Sequence, residues 1–401
     1  MRQRSSGVGA DLSLAWLLEP LSVDDFLGEI WGATHYHVGR DRPEYLNSLR
    51  EGADSVDELL ALFRPHLSLV SLVRENDRKD QYVYRLADGG FDGAAVGRDF
   101  ADGYTIVLES VQRYGHTIAA LSHSIEAELN FATQVNAYFT PPESQGFAAH
   151  CDDHDALIVQ LQGSKTWHVF EGVDVPPQEM WRHEAFSTAG LPAPVDVCLQ
   201  AGDVLYVPRG RVHAAESTSE LSVHLTVGLH APTLVMLATR ALNALSTSDD
   251  RLHTRLPPRF LSDPDVRSGL TALVHGITEA LEQPKAIAMG LDSLEADLVR
   301  RGQCQPLGNG ISDAVAIDDQ TRVIKYQPLY SRVTETSDEV ALHFAQSQVD
   351  ATADHKDALQ FLAKSTAPFR ICELPGLDDV QRLELARALI LQGFLVRVPE
   401  D

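Results

Sequence analysis

Residues 136–170 read "NAYFTPPESQGFAAHCDDHDALIVQLQGSKTWHVF", with His150-Cys151-Asp152 at the centre. A histidine and a carboxylate stand two residues apart, just before an apolar run that reads as a buried strand. On an extended segment residues i and i+2 face the same side, so His150 and Asp152 can point together into one pocket. H-x-D alone is common in ordinary polar loops, so a third ligand is needed from another strand. The candidate is His213 in "GDVLYVPRGRVHAAES". There a strand ends at Pro208, turns through Arg209-Gly210, and resumes carrying a histidine. Two histidines and one carboxylate leave coordination positions open, and they are the usual ligand set of non-haem Fe(II) oxygenases. Asp153 and His154 are competing ligands; being adjacent to the pair, at most one of them shares its face.

A co-substrate must fill the open positions. A dicarboxylic keto acid chelates a metal through its carboxylate and ketone, and its far carboxylate then needs a cation. Lys165 starts the strand that follows the Asp152 segment across a tight turn and can supply that charge; the plainer alternative is a surface lysine in a hairpin. Asn136 and Tyr138 lie two apart on the preceding strand, share a face, and can donate to the carboxylate or the substrate; otherwise they are strand filler.

Around this centre, "ATQVNAYFT", "ALIVQLQ", "TWHVFEG", "DVCLQ", "DVLYVP" and "LSVHLTVGL" are short β-rich runs separated by Gly- and Pro-containing turns, the pattern of a sandwich or barrel. Before it, residues 11–35 have helical spacing, with Ser22 as N-cap of "SVDDF". Residues 55–64 read as a short helix, and 104–130 as a strand end followed by an amphipathic helix. After Ala231-Pro232 come "TLVMLATRALNALS" and "VRSGLTALVHGITEALEQ", apolar at i, i+3, i+4 and i+7. The polar stretch 300–313 reads as a linker. The tail, with "HKDALQFLAKS" and "DDVQRLELARALILQGFLVRV", suggests a small helix–strand domain of the winged-helix type. The expected division is 1–230, 231–310 and 311–401.

The chain has 401 residues, 44% apolar and 22% charged, the balance of a folded soluble protein of more than one domain. No uncharged apolar run of about 18 residues is present, and the N-terminus has no signal-like apolar core, so neither a membrane span nor export is expected. Cys151, Cys198, Cys304 and Cys372 are scattered without C-x-x-C spacing, which fits a reducing, cytoplasmic setting. The formal net charge of −24 repels nucleic acid backbones and suits basic partners. From residue 311 onward nine Lys and Arg face fifteen Asp and Glu, a net of −6, which argues against DNA reading by a winged helix.

The two segments around His150 and His213 resemble the JmjC-domain ribosomal oxygenases of the cupin-4 group. So do the opening "WLLEPLSVDDFLGEIWGATHYHV" and the tail with its "LPG" turn. The resemblance implies an α+β architecture: a JmjC double-stranded β-helix (a cupin-like jelly roll) with N-terminal helices, a helical dimerisation region and a C-terminal winged helix. It implies Fe(II)- and 2-oxoglutarate-dependent hydroxylation of a polypeptide side chain, arginine or histidine of a ribosomal protein, by a homodimer. By position it implies His150, Asp152 and His213 as iron ligands, Lys165 on the far carboxylate of 2-oxoglutarate, Asn136 and Tyr138 as the N-x-Y of the pocket wall, and Ser144 in the matching "SQG" turn. Cys151 stands where an aromatic or aliphatic residue is common, and "HLTVGLH" ends differently from the usual pattern. Three alternatives stay open: a hydroxylase of ribosomally made natural-product peptides, a cupin using another divalent metal, and a non-catalytic protein-binding module.

Overall fold

The computed structural model describes residues 12–50, 62–63, 66–176, 187–305, 314 and 316–398. The chain divides into two compact units, Met1–Ala231 and Pro232–Asp401. Most of the helix expected over 55–64 and of the linker at 300–313 lies outside the described residues; Leu62 and Phe63 are helical.

The first unit is built on eleven described strands: β1 (Tyr36–Val38), β2 (Val70–Arg74), β3 (Asp77–Arg78), β4 (Thr105–Leu108), β5 (Ala132–Thr140), β6 (Asp155–Gln162), β7 (Ser164–Asp174), β8 (Val195–Gln200), β9 (Val204–Val207), β10 (Arg211–Ser217) and β11 (Ser222–His230). They form an eight-stranded sheet, ordered β1-β9-β6-β11-β5-β4-β2-β3, and a three-stranded sheet, β10-β7-β8. Trp167, Val197 and Leu199 of the smaller sheet pack on Ala156, Ile158, Leu205 and Val207 of the larger, which makes the double-stranded β-helix of a JmjC or cupin-like fold.

Strand periodicity sorts the residues between core and cavity. Along β5, Val135, Ala137 and Phe139 are buried in the main core, while Asn136 and Tyr138 alternate to the other face. Strand β6 is buried along all but its last residue, as a continuous apolar run suggests. The turn at Gly163 is not a hairpin, because β6 and β7 belong to different sheets. Gly163 has φ +63°, and a Cβ there would lie 2.1 Å from the Leu221 carbonyl oxygen. Only glycine turns this corner. A second corner, Pro208-Arg209-Gly210, carries the chain from β9 in the large sheet to β10 in the small one.

The N-terminal segment closes one side of the barrel. Ser13 accepts from Trp16 N–H to start the helix Leu14–Leu18, and Ser22 accepts from Asp25 N–H to start Val23–Asp25, which runs into a wider turn at Phe26–Ile30. Phe26 and Trp31 pack on the Tyr206 ring at 4.9 and 5.8 Å. The Tyr206 hydroxyl accepts from Gly32 N–H (2.8 Å) and donates to Asp155 (2.6 Å).

The second unit begins with helices Leu234–Leu245, Pro264–Leu281 and Pro284–Arg300. The third was not among the helices read from the sequence, although Pro284 in its first turn marks a start. Its Gly290 lets Leu237 and Ala241 approach to about 3 Å of where a Cβ would stand. The tail holds two three-stranded antiparallel sheets and the helices Lys356–Lys364 and Asp379–Leu391, the latter opened by a capping box between Asp378 and Gln381. Among the described residues no helix is long and apolar enough to cross a membrane.

Candidate active site

A cavity of about 850 Å³ opens between the two sheets, lined in part by Asn136, Tyr138, His150, Asp152, Lys165, Trp167, His213 and His224. His150, Asp152 and His213 converge there, with ligand atoms within 4.8 Å of one another. His150 Nε2 lies 3.9 Å from Asp152 Oδ1, and His213 Nε2 lies 3.7 Å from Asp152 Oδ2.

The pairing of His150 with Asp152 does not come from a regular strand. His150 belongs to an isolated bridge with His213, and residues 151–152 carry no strand assignment. The two histidines exchange backbone hydrogen bonds, His150 N–H to His213 O (3.0 Å) and His213 N–H to His150 O (2.8 Å); Gly210 N–H fixes the Asp152 carbonyl at 2.9 Å. Each imidazole is aimed by its own main chain. His150 Nδ1 donates to the Ala148 carbonyl (2.8 Å) and His213 Nδ1 to the Arg211 carbonyl (2.9 Å). A carbonyl can only accept, so both protons sit on Nδ1 and both Nε2 lone pairs face the carboxylate, which is the orientation a metal requires.

Burial, helped by the neighbouring His150, lowers the His213 pKa and keeps the ring neutral. Burial works against the charge on Asp152, but His213 and His150 outweigh it and hold the carboxyl below its ordinary value. Neutral imidazoles and an ionised carboxylate are the protonation states of a bound metal's ligands. Metal bonds of about 2.0–2.2 Å to such donors place neighbouring ligand atoms about 3–3.5 Å apart, so the three side chains fit an ion after shifts of under about 1 Å.

Lys165 is 4% exposed. Its Nζ donates to Thr140 Oγ1 at 3.0 Å and lies 6.0 Å from the Trp167 ring centre; among the described residues no carboxylate pairs with it. Burial pushes its pKa down to about 7. A buried amine without a counter-ion is costly unless something supplies the missing anion. Tyr138 is stacked on His224 at 4.6 Å, nearly parallel, and burial raises its pKa. Asn136 lines the cavity but turns its side-chain carbonyl to Ser110 N–H (3.0 Å) and Gln134 Nε2 (3.1 Å).

Ser144 stands apart from this group. It is not among the cavity-lining residues; its hydroxyl donates to the Pro142 carbonyl and its N–H to Ser217 Oγ, at 3.0 Å each. It braces the turn and does not reach the site in this conformation. Asp153 and His154 line the same cavity but leave the triad to meet His230.

The sequence reading missed His224, Thr226 and His230. Alternation along "SVHLTVGLH" puts all three, with Gly228, on one face of β11, and all four line the cavity. Burial, with Lys165 adding to it, drives the His224 pKa well down, and its Nδ1 has no hydrogen-bond partner among the described residues.

A double-stranded β-helix with a His-x-Asp…His cluster and a buried lysine defines a JmjC-type barrel, and residues 110–237 match the JmjC domain family. Along its length the chain is similar to the bifunctional lysine-specific demethylase and histidyl-hydroxylase NO66 of Dictyostelium discoideum, 25% identical over 97% of this chain and 83% of that protein. Ribosomal oxygenase 1 of Danio rerio is 23% identical over 95% and 78%. NO66 of Drosophila melanogaster is 31% identical, but over only 54% of this chain and 33% of that protein, so the chain spans about a third of the fly relative's length. Among solved structures, Escherichia coli YcfD superposes with a TM-score of 0.59 at 19% identity, covering 94% of this chain and 98% of that one; the ribosomal oxygenase YcfD in complex with cobalt and 2-oxoglutarate gives 0.58. The JmjC match is confined to residues 110–237, and over its length the chain is homologous to the ribosomal oxygenases.

Proposed function

We propose that the protein is an Fe(II)- and 2-oxoglutarate-dependent oxygenase that hydroxylates an arginine or histidine side chain of a basic polypeptide, with ribosomal proteins as the first candidates. The observation that carries this reading is one cavity holding both an oriented His150–Asp152–His213 cluster and the buried Lys165, which has no carboxylate partner among the described residues. A metal site alone would suit many cupins. The lysine adds the demand for an anionic co-substrate reaching inward from the metal.

In this reading His150, Asp152 and His213 hold Fe(II), which together with 2-oxoglutarate supplies dioxygen activation, one oxygen atom entering succinate and the other a substrate C–H bond. The protein's own part is positioning. The backbone pair between residues 150 and 213 and the two Nδ1 anchors hold the imidazoles. Lys165, steadied by Thr140, receives the far carboxylate as an ammonium. Trp167, Tyr138 and His224 wall the keto acid from water.

The net charge of −24 supports a basic partner. A homodimer is supported by apolar residues left exposed on the helices of the second unit, including Leu234, Val235 and Leu291. A winged-helix reading of the tail rests on its capped helix Asp379–Leu391 and small sheets. A cytoplasmic location accords with the four unpaired cysteines.

The test is intact-mass spectrometry of ribosomal proteins from cells with and without this gene. The expected outcome is one ribosomal protein lighter by one oxygen in the deletion, restored by the wild-type gene and not by His213→Ala. An unchanged ribosomal set, with succinate still formed on basic peptides, moves the substrate to other polypeptides. Full activity of a folded His213→Ala protein rejects the mechanism.

A further inference from the structure

A second cluster of two imidazoles and a carboxylate sits in the same cavity: Asp153, His154 and His230, with ligand atoms within 4.8 Å of one another. It shares no residue with the His150–Asp152–His213 cluster. The two rings lie 4.5 Å apart between centres, at 36°. His154 Nδ1 is 3.0 Å from Asp153 Oδ1. An ionised carboxylate can only accept, so Nδ1 carries the proton and the His154 lone pair is on Nε2.

Gly228 shows where the two rings point. A Cβ built at that glycine would lie 2.9 Å from His154 Nε2 and 3.3 Å from His230 Nε2. The two nitrogens therefore converge over the bare face of a glycine, in room that any larger residue would fill. Gly228 does not have the positive φ that would itself call for glycine. The space it leaves is what lets the imidazoles meet. Asp153, more than a third exposed, brings negative charge to the same cluster.

We propose that Asp153, His154 and His230 form a second metal site, at the cavity mouth, for a divalent transition ion that favours imidazole, with zinc, nickel and copper the chemical class. His154 and His230 bind through Nε2. Asp153 supplies the charge and, through its contact with His154 Nδ1, fixes that ring's tautomer, as carboxylate partners of metal-bound histidines do. The site stands on its own residues, so its fate and that of the inner cluster are separable.

The experiment is equilibrium dialysis of tag-free, chelator-stripped full-length protein against Zn(II), with bound metal counted by mass spectrometry and folding followed by circular dichroism. The wild type is expected to hold two equivalents, and His154→Ala or His230→Ala one. His213→Ala keeps the mouth equivalent, and His213→Ala/His230→Ala holds none. Gly228→Ala, with both histidines intact, is expected to lose the mouth equivalent by crowding the rings apart. One equivalent in the wild type that disappears in His213→Ala overturns the second site and leaves the first standing. Two equivalents retained in folded His230→Ala overturns it as well.

Discussion

An amine that is 4% exposed and hydrogen-bonded only to a threonine hydroxyl among the described residues is ill suited to stabilising the fold and well suited to receiving an anion. Replacing Lys165 by Met keeps the volume and removes the desolvation cost. Lys165→Met is therefore expected to be as stable as the wild type, or more so, in denaturant unfolding without keto acid. Its 2-oxoglutarate affinity is expected to fall roughly 10- to 100-fold, the range of a lost charge-assisted hydrogen bond, as read by titration calorimetry. The same residue sets a pH dependence. Unfolded, the amine keeps its proton to about 10.5; folded and without keto acid, it loses it near 7. Between those values the unfolded chain holds the extra proton, so this group makes stability rise with pH, by up to about 1.4 kcal/mol per unit. Keto-acid affinity runs the other way, weakening as pH climbs above about 7, because the anion needs the ammonium. Isothermal titrations at pH 6.5 and 8.5 check this; equal affinities at both would reject the role. That His150, Asp152 and Lys165 meet in one cavity was legible because each sits in a short, polar punctuation of an apolar pattern. Ser144 shows how little a matching turn sequence says about direction: its hydroxyl bonds to the Pro142 carbonyl and it does not line the cavity.

At the scale of elements, what made the strands readable was their alternation, and each β-rich run flanking His150 and His213 forms a strand. What could not be read was which sheet each strand joins. Strands β6 and β7 are separated by a single glycine and would be taken for a hairpin, yet they pair with different neighbours, because Gly163 redirects the chain by a route that local propensity does not encode. Gly163→Ala is expected to destabilise the protein by about 2–5 kcal/mol, the sum of a left-handed backbone cost and a collision with the Leu221 carbonyl. Since Lys165 lies two residues on, weaker keto-acid binding should accompany the loss. Urea unfolding and a 2-oxoglutarate titration of this variant measure both; a change of under about 1 kcal/mol would mean the corner can relax. The face of β11 that carries His224, Thr226 and His230 was legible in principle by the same alternation, but its residues have no ligand-like spacing among themselves and become a site only across the barrel.

For the molecule as a whole, a net charge of −24 acts at longer range than any single contact. It raises the encounter rate with a basic polypeptide, and salt screens it, the screening length falling from about 30 Å at 0.01 M to about 10 Å at 0.1 M. Over that range kcat/KM for a basic substrate peptide is expected to drop several-fold with kcat unchanged, as steady-state assays would show; a fall confined to kcat would place the salt effect in the chemistry instead. The division of the chain between Ala231 and Pro232 was signalled by the change from β-rich to helical texture, whereas the helix Pro284–Arg300 was passed over because its apolar positions are interrupted by Gly290 and Asp292.

The exchange of backbone hydrogen bonds between His150 and His213 bears on the life of the protein once its ion is gone. Main-chain pairing keeps those two segments side by side without help from an ion, so the protein stripped of metal is expected to keep its fold. Reloading would then be a matter of an ion finding a seat already laid, and stripped protein is expected to regain metal with no change in its circular dichroism.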